Sequence, residues 1–251
     1  MTELSKRLED VLALAGGGEC VADIGCDHGY LSIELVRRGL FKRAVAMDLR
    51  KGPLKAAEEN IKEAGLEERI ECRLSDGLEA LEEGVADTAV CAGMGGMLII
   101  DIMKDSLLKF KSLKKFVLAP QSDMSAVRRY LKQEGFHIKD EGLSEDAGKY
   151  YQMLLVSADD APDEYAEYAG TESLLDAAYS YGPVLLKKGG DLFKEYIARQ
   201  RGLSLEKYES VKKALEADPG NPRLKERFSE ICKELETEDK VSEYADKREV
   251  R

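Results

Sequence analysis

The sequence of 251 residues has no tryptophan, two histidines and no Cys-x-x-Cys pair, and each shortage excludes something. With only His28 and His137 available, and with Cys20, Cys26, Cys72, Cys91 and Cys232 scattered, a zinc centre lacks ligands at workable spacing. Four of the five cysteines lie in or beside apolar runs, where a reduced cysteine packs as a small hydrophobe. No apolar stretch approaches the ~20 residues that span a bilayer. The opening segment Met-Thr-Glu-Leu-Ser-Lys-Arg-Leu-Glu-Asp holds no apolar signal region, so the expected location is cytoplasmic. A basic excess is also missing. Lysine and arginine number 38 against 49 aspartate and glutamate, a formal charge of −11, which speaks against a uniformly basic nucleic-acid surface. What is present is a hydrophobic share of 43% and a charged share of 35%, enough for one full α/β domain and a smaller appendage.

The most informative stretch is Cys-Val-Ala-Asp-Ile-Gly-Cys-Asp-His-Gly-Tyr, residues 20–30. A short apolar run ends at Asp23, passes Gly25 and Gly29, and opens into a helical pattern at Tyr30. This is a strand, a tight turn and a helix start, the unit with which α/β folds hold nucleotide-like ligands. A dinucleotide site wants Gly-x-Gly-x-x-Gly around a pyrophosphate. Here Asp27 stands at the middle position, where its charge opposes a pyrophosphate. The pattern Asp23-x-Gly25-x-Asp27-x-Gly29 instead suits a cationic ligand with a ribose and no phosphate, of which S-adenosylmethionine is one. Asp48 ends the next apolar run, where a carboxylate takes both ribose hydroxyls.

Apolar runs at 21–25, 44–49, 70–74, 88–92 and 116–119 predict buried parallel strands, alternating with helices at 30–39, 53–65, 97–110 and 125–135. Segments 136–143 and 150–158 have β composition with no helix between them, which predicts an antiparallel hairpin at the sheet's edge. The expectation is a Rossmann-like α/β sheet of seven strands, the layout shared by most S-adenosylmethionine-dependent methyltransferases, over residues 1–160. Residues 161–251 show no strand-like run and form the second expected domain. Helical stretches at 195–215 and 223–235 flank Asp218-Pro-Gly-Asn-Pro. A stripe of Leu203, Leu205, Tyr208, Val211 and Leu215 is expected to face Leu224, Phe228, Ile231 and Leu235 in a coiled-coil-like hairpin.

Several segments carry a family likeness: Leu4-Ser-Lys-Arg-Leu, Asp23-Ile-Gly-Cys-Asp-His-Gly-Tyr-Leu, Asp48 with Gly52-Pro-Leu, and Arg73-Leu-Ser-Asp-Gly-Leu. Gly93-Met-Gly-Gly, Pro120-Gln, Glu141-Gly-Leu-Ser-Glu-Asp and Tyr181-Gly-Pro-Val-Leu-Leu continue it. In these the chain resembles the bacterial tRNA (adenine-22-N1)-methyltransferases across nearly its whole length. The resemblance implies S-adenosylmethionine as donor, tRNA as acceptor and a C-terminal helical hairpin. One departure is Ala119-Pro-Gln-Ser-Asp after the fifth strand, where the family more often reads Gln-Pro-Asn. Two other readings stand beside this one: a methyltransferase of a small molecule or protein, and a non-catalytic RNA-binding protein. A monomer is the default expectation.

Candidate residues follow. Asp23, Gly25, His28, Gly29, Asp48, Asp76, Gly77 and Gly93 are expected around the donor. Asp76 is read as the partner of the donor's adenine amino group, or as a helix N-cap ahead of Gly-Leu-Glu-Ala-Leu. His28 orients Asp27, touches the donor or is structural. The candidates for catalysis are Asp27, Gly93, Met94 and Gly95. Neutral adenine N1 carries an in-plane lone pair and no proton, so no strong base is needed and orientation does much of the work. A fixed carboxylate then stabilises the cation forming on the purine, and Asp27 is the candidate, with the donor's ammonium as its alternative partner. Gly93-Met-Gly-Gly reads as a backbone that an extruded base can approach, or as a plain strand-to-helix turn. Arg7, Arg128 and Arg129 are candidate substrate contacts, Arg7 reaching the donor's carboxylate or a tRNA phosphate. Further basic clusters lie at Lys104 to Lys115 and from Lys187 to Lys213.

Overall fold

The computed structural model describes residues 4–249, with side chains to Tyr244. The chain divides into two units, one ending at Asp163 and the other beginning at Glu164.

The first unit runs α1 (Lys6–Ala15), β1 (Gly18–Ile24), α2 (Tyr30–Arg37), β2 (Phe41–Asp48), α3 (Lys51–Glu63), β3 (Ile70–Leu74) and β4 (Thr88–Ala92). It continues with α4 (Gly96–Asp105), α5 (Leu107–Ser112), β5 (Lys115–Ala119), α6 (Met124–Gln133), β6 (His137–Asp146) and β7 (Lys149–Ser157). The seven strands lie in the order β3-β2-β1-β4-β5-β7-β6. β7 is antiparallel to both β5 and β6, while the other pairs are parallel. Strand order reverses between β1 and β4, and a crevice opens at such a switch point beyond the carboxyl ends of the strands.

The central strands are apolar because both faces are covered, and Val21, Ala22, Ala46, Met47, Val90, Val117 and Leu118 are all buried. Ser5 caps α1 by accepting the Leu8 N–H, a preference of hydroxyl side chains at this position. The β6–β7 turn is a two-residue loop with Ala147 and Gly148 both at positive φ, the twist that suits an antiparallel hairpin.

Two expectations need correcting in this unit. The predicted helix at 97–110 breaks at Ser106 into α4 and α5, although the apolar pattern runs on through the break. Arg128 is no surface cation. It is fully buried, its Nε donates to Glu141 Oε1 at 2.9 Å, and it also donates to Gln152. It ties α6 to the hairpin and is out of reach of any RNA. Arg129, its neighbour on α6, is exposed.

The second unit is helical, with a short 3-10 turn (Ala166–Tyr168), α7 (Glu172–Tyr181), α8 (Pro183–Lys188), α9 (Asp191–Ala217) and α10 (Pro222–Glu249). α9 and α10 form the long pair that the sequence predicts, and Tyr208 meets Phe228 at a centroid distance of 5.0 Å over buried Ile231. The expected stripe is off at one end. Leu203 and Leu205 are exposed, and Ser204 between them is buried, donating to Glu238 Oε1 at 2.9 Å alongside the Tyr181 hydroxyl at 3.1 Å. Burial pushes the Glu238 carboxyl up, toward the protonated form.

Candidate active site

Beyond the carboxyl ends of β1, β2, β3 and β4 lies a cavity of ≈ 680 Å³. It takes in Asp23, Gly25, Asp27 and His28 after β1, Asp48 at the end of β2, Asp76 and Gly77 after β3, and Gly93 and Met94 after β4. Arg7 of α1 also reaches it. Gly29 and Gly95 do not line it. A Cβ on Gly29 would sit 3.0 Å from the Ala57 side chain, so this glycine lets α3 pack against the turn. Gly95 faces the β5 loop, where a Cβ would lie 3.3 Å from Ser122 Oγ. Both glycines serve packing.

Asp48 is organised by the main chain. Its Oδ2 accepts the Asp27 N–H at 3.2 Å and its Oδ1 accepts the Arg50 N–H at 2.8 Å. An ionised carboxylate accepts about four hydrogen bonds, so lone pairs remain on each oxygen for a vicinal diol. The carboxyl of Asp23 is buried and accepts from Ser32 Oγ at 2.6 Å. Burial pushes it up from an ordinary 3.8 to about 6, against the lowering effect of Ser32. A cationic group brought to it would be drawn in.

Asp27 differs from both. It stands at φ 51°, a left-handed conformation that side chains other than glycine rarely adopt, and its side chain is 59% exposed. Its nearest basic neighbours stand off, His28 Nε2 at 3.8 Å and an Arg50 Nη at 3.9 Å. The left-handed backbone aims the Asp27 N–H at Asp48, which holds the turn. Strain of this kind is kept where the surroundings over-determine it. His28 stacks on Tyr30 at 5.9 Å, so besides approaching Asp27 it forms an aromatic step at the rim.

Gly25 and Gly77 have steric reasons to be glycine. A Cβ on Gly25 would lie 2.6 Å from the Met94 methyl, and one on Gly77 would lie 2.5 Å from the Ile102 side chain. Met94 and Ile102 therefore close over the turns as apolar walls. The cap at the end of β3 is Ser75, whose hydroxyl accepts the Ala80 N–H at 3.0 Å, and the segment stays a turn. The N-cap reading of Asp76 falls away, which leaves its exposed carboxylate facing the cavity.

Arg7 supplies an orphan. Its Nη1 is buried with no hydrogen-bond partner, its guanidinium lies 5.3 Å from the Tyr151 ring centroid, and it faces Gly93. A buried guanidinium nitrogen without a hydrogen-bond partner at a cavity wall is suited to an anion. Arg50 and Gln121 are cavity residues that the sequence did not name as site candidates, although Gln121 lies in the Pro120-Gln segment. The basic cluster of 104–115 is largely engaged within the fold. Lys109 donates to the Leu78 and Glu79 carbonyls, Lys114 pairs with Asp87, and Lys115 donates to the Ala15 and Gly17 carbonyls.

The sheet order, the antiparallel seventh strand and an acidic crevice at the switch point define an S-adenosylmethionine-dependent methyltransferase fold. Within that class, the sequence profile of the tRNA (adenine(22)-N(1))-methyltransferases matches residues 21–240, and the chain belongs to this family. A tRNA (adenine(22)-N(1))-methyltransferase of Bacillus subtilis is 32% identical over 235 residues, covering 93% of this chain and 97% of its own length. The crystal structure of the B. subtilis m1A22 tRNA methyltransferase superposes with a TM-score of 0.82 at 30% identity, over 96% of this chain and 99% of that one. Streptococcus pneumoniae Sp1610 in complex with S-adenosyl-L-methionine gives 0.76 at 31% identity, over 95% and 99%.

Proposed function

We propose that this chain transfers a methyl group from S-adenosylmethionine to N1 of adenine 22 in tRNA, with Asp27 as the carboxylate facing the reacting nitrogen. The observation that carries the assignment is the contrast among three of the cavity's four carboxylates: Asp48 fixed by two N–H groups, Asp23 buried, and Asp27 exposed with no close basic partner.

The residues suit the donor part by part. Asp48 takes the ribose hydroxyls, and Asp76 takes the adenine amino group beside the Ile102 wall that Gly77 admits. Asp23 attracts the ammonium, and the orphaned Arg7 Nη1 binds the carboxylate. When bound, the donor supplies an electrophilic methyl on a sulfonium. The N1 lone pair forms the new N–C bond as the S–C electron pair returns to sulfur, and the positive charge passes to the purine. The Asp27 carboxylate lowers the energy of that charge and is placed to accept a proton from N6 afterwards. Gly93, with no side chain, and Met94, with an apolar one, leave room for the base.

N1 lies on the Watson–Crick edge, so the target must be unpaired or flipped, at a cost of about a few kcal/mol. Residues 1–160 are assigned to the donor site and the transfer, and residues 161–251 to gripping folded tRNA, with exposed Arg129 as a further contact. The negative overall charge predicts modest affinity that falls steeply with salt. The test is mass spectrometry of digested tRNA after incubation with labelled donor. A transcript with A22 should gain one N1-methyl, and a transcript with U22 none. Label in protein or small molecules with none in tRNA would refute the assignment.

A further inference from the structure

We propose that Gln121 selects adenine by reading its Hoogsteen edge, leaving N1 free to be methylated; this rests on the reaction assigned above. Gln121 is the one carboxamide among the residues lining the cavity. Its side chain lies beside Gly93, with Nε2 3.9 Å from the position a Cβ there would take. Among the described residues its amide makes no hydrogen bond, whereas its neighbour Ser122 is tied to Asp123 at 2.6 Å. A donor and an acceptor at fixed spacing therefore stand open beside the catalytic turn.

The reaction narrows what such a group can read. N1 must be unencumbered and in line with the methyl, so recognition through the Watson–Crick edge would block the chemistry. Adenine's other polar edge presents N7 as acceptor and N6–H as donor, the pair that a carboxamide matches with two hydrogen bonds. Guanine presents N7 and O6, both acceptors, so the amide oxygen would face another oxygen. The cavity's carboxylates can accept from N6 but cannot donate to N7, and Arg7 can donate but cannot accept. Among these charged groups and the carboxamide, Gln121 alone offers a donor and an acceptor side by side on one planar group.

Its position is fixed by the two loops. The Gln121 N–H donates to the Met94 carbonyl at 2.9 Å, and the Gly93 N–H donates to the Ala119 carbonyl at 3.3 Å. Pro120 restricts the chain just before it, and Asp123 sits in a left-handed conformation just after, at φ 57°. A Cβ on Gly96 would meet the Ser122 carbonyl oxygen at 2.5 Å, so Gly96 lets the β5 loop approach closely. In this role Gly93-Met-Gly-Gly sets the distance between Gln121 and the base.

The experiment uses full-length protein and A22 tRNA carrying either adenine or 7-deazaadenine at the target, which replaces N7 by C–H. Single-turnover rate and tRNA affinity are measured for wild type, Gln121→Leu and Gln121→Glu. Wild type should lose roughly five- to a hundredfold in rate over affinity on 7-deazaadenine. Gln121→Leu should lose at least as much on adenine and almost nothing more on 7-deazaadenine. Gln121→Glu keeps the acceptor for N6 and loses the donor for N7, so it should be equally indifferent to the deaza change. Any effect of 7-deazaadenine on N1 basicity is common to all three proteins and cancels. Losses that multiply, or a wild type indifferent to N7, overturn the role of Gln121 while the methylation assignment stands. A wild type that methylates no tRNA adenine removes both.

Discussion

In the helical unit Arg201 meets Asp239 at 2.7 Å, Arg227 meets Glu230 at 2.8 Å, and buried Glu238 takes hydrogen bonds from Ser204 and Tyr181. Around the cavity of the sheet unit, three groups stand open together. Arg7 Nη1 has no hydrogen-bond partner, the Gln121 amide makes no hydrogen bond among the described residues, and Asp27 keeps its basic neighbours at 3.8 Å or more. Polar groups normally find partners within a fold, so a cluster left open marks where the partner comes from outside. The first region pairs its surface charges with one another and leaves one buried oxygen, Glu238 Oε2, without a partner. The second holds its polar groups ready.

The largest effect should come from removing the open charge at the mouth. Asp27→Asn keeps the shape, and single-turnover methylation should slow by roughly two to three orders of magnitude, with donor affinity changed only a few-fold. Weak donor binding with a normal saturated rate would instead make Asp27 a ligand of the ammonium. Asp48→Ala should weaken donor binding by about 3 kcal/mol, over a hundredfold, because a charged acceptor of two hydroxyls is lost. Calorimetry on the folded variant that finds near-normal affinity would remove Asp48 from the ribose site.

A pH test addresses Asp23, whose carboxyl is at about 6 in the fold and 3.8 when unfolded. The folded chain binds this proton more tightly, so the stabilising contribution is complete below about pH 4 and is lost as pH rises through 6. Its size is at most about 3 kcal/mol. Thermal unfolding should show wild type losing stability relative to Asp23→Asn as pH rises across that window, and parallel curves would contradict it. The smallest effect belongs to the helical unit. Arg201 and Asp239 are both substantially exposed, so Arg201→Ala should cost less than about 1 kcal/mol in chemical denaturation. A loss of several kcal/mol would mean that such pairs carry that unit's stability.

Much of the sheet was legible because fully buried strands write themselves as short apolar runs, as at 88–92 and 116–119. The acidic turn was legible for a different reason: an aspartate at the middle of a glycine turn contradicts a pyrophosphate, and the cavity is indeed acidic there. What escaped was set by tertiary contact. Arg128 looks like any basic residue beside Arg129, and only the fold brings Glu141 and Gln152 around it. Ser204 reads as a polar gap between leucines until Glu238 and Tyr181 arrive from other helices. Gly29 and Gly95 look like ligand glycines, yet their missing Cβ atoms make room for protein. Gln121 stood out only within the Pro120-Gln likeness and gained no role from it, since its neighbour Gly93 lies far back in the chain.

The close approach of Gly96 to the Ser122 carbonyl also bears on how the site can change over generations. An alanine at Gly96 would touch no substrate, yet it would push the β5 loop outward and take Gln121 with it. On the role proposed for Gln121, base preference would thus depend on a residue that never meets a base.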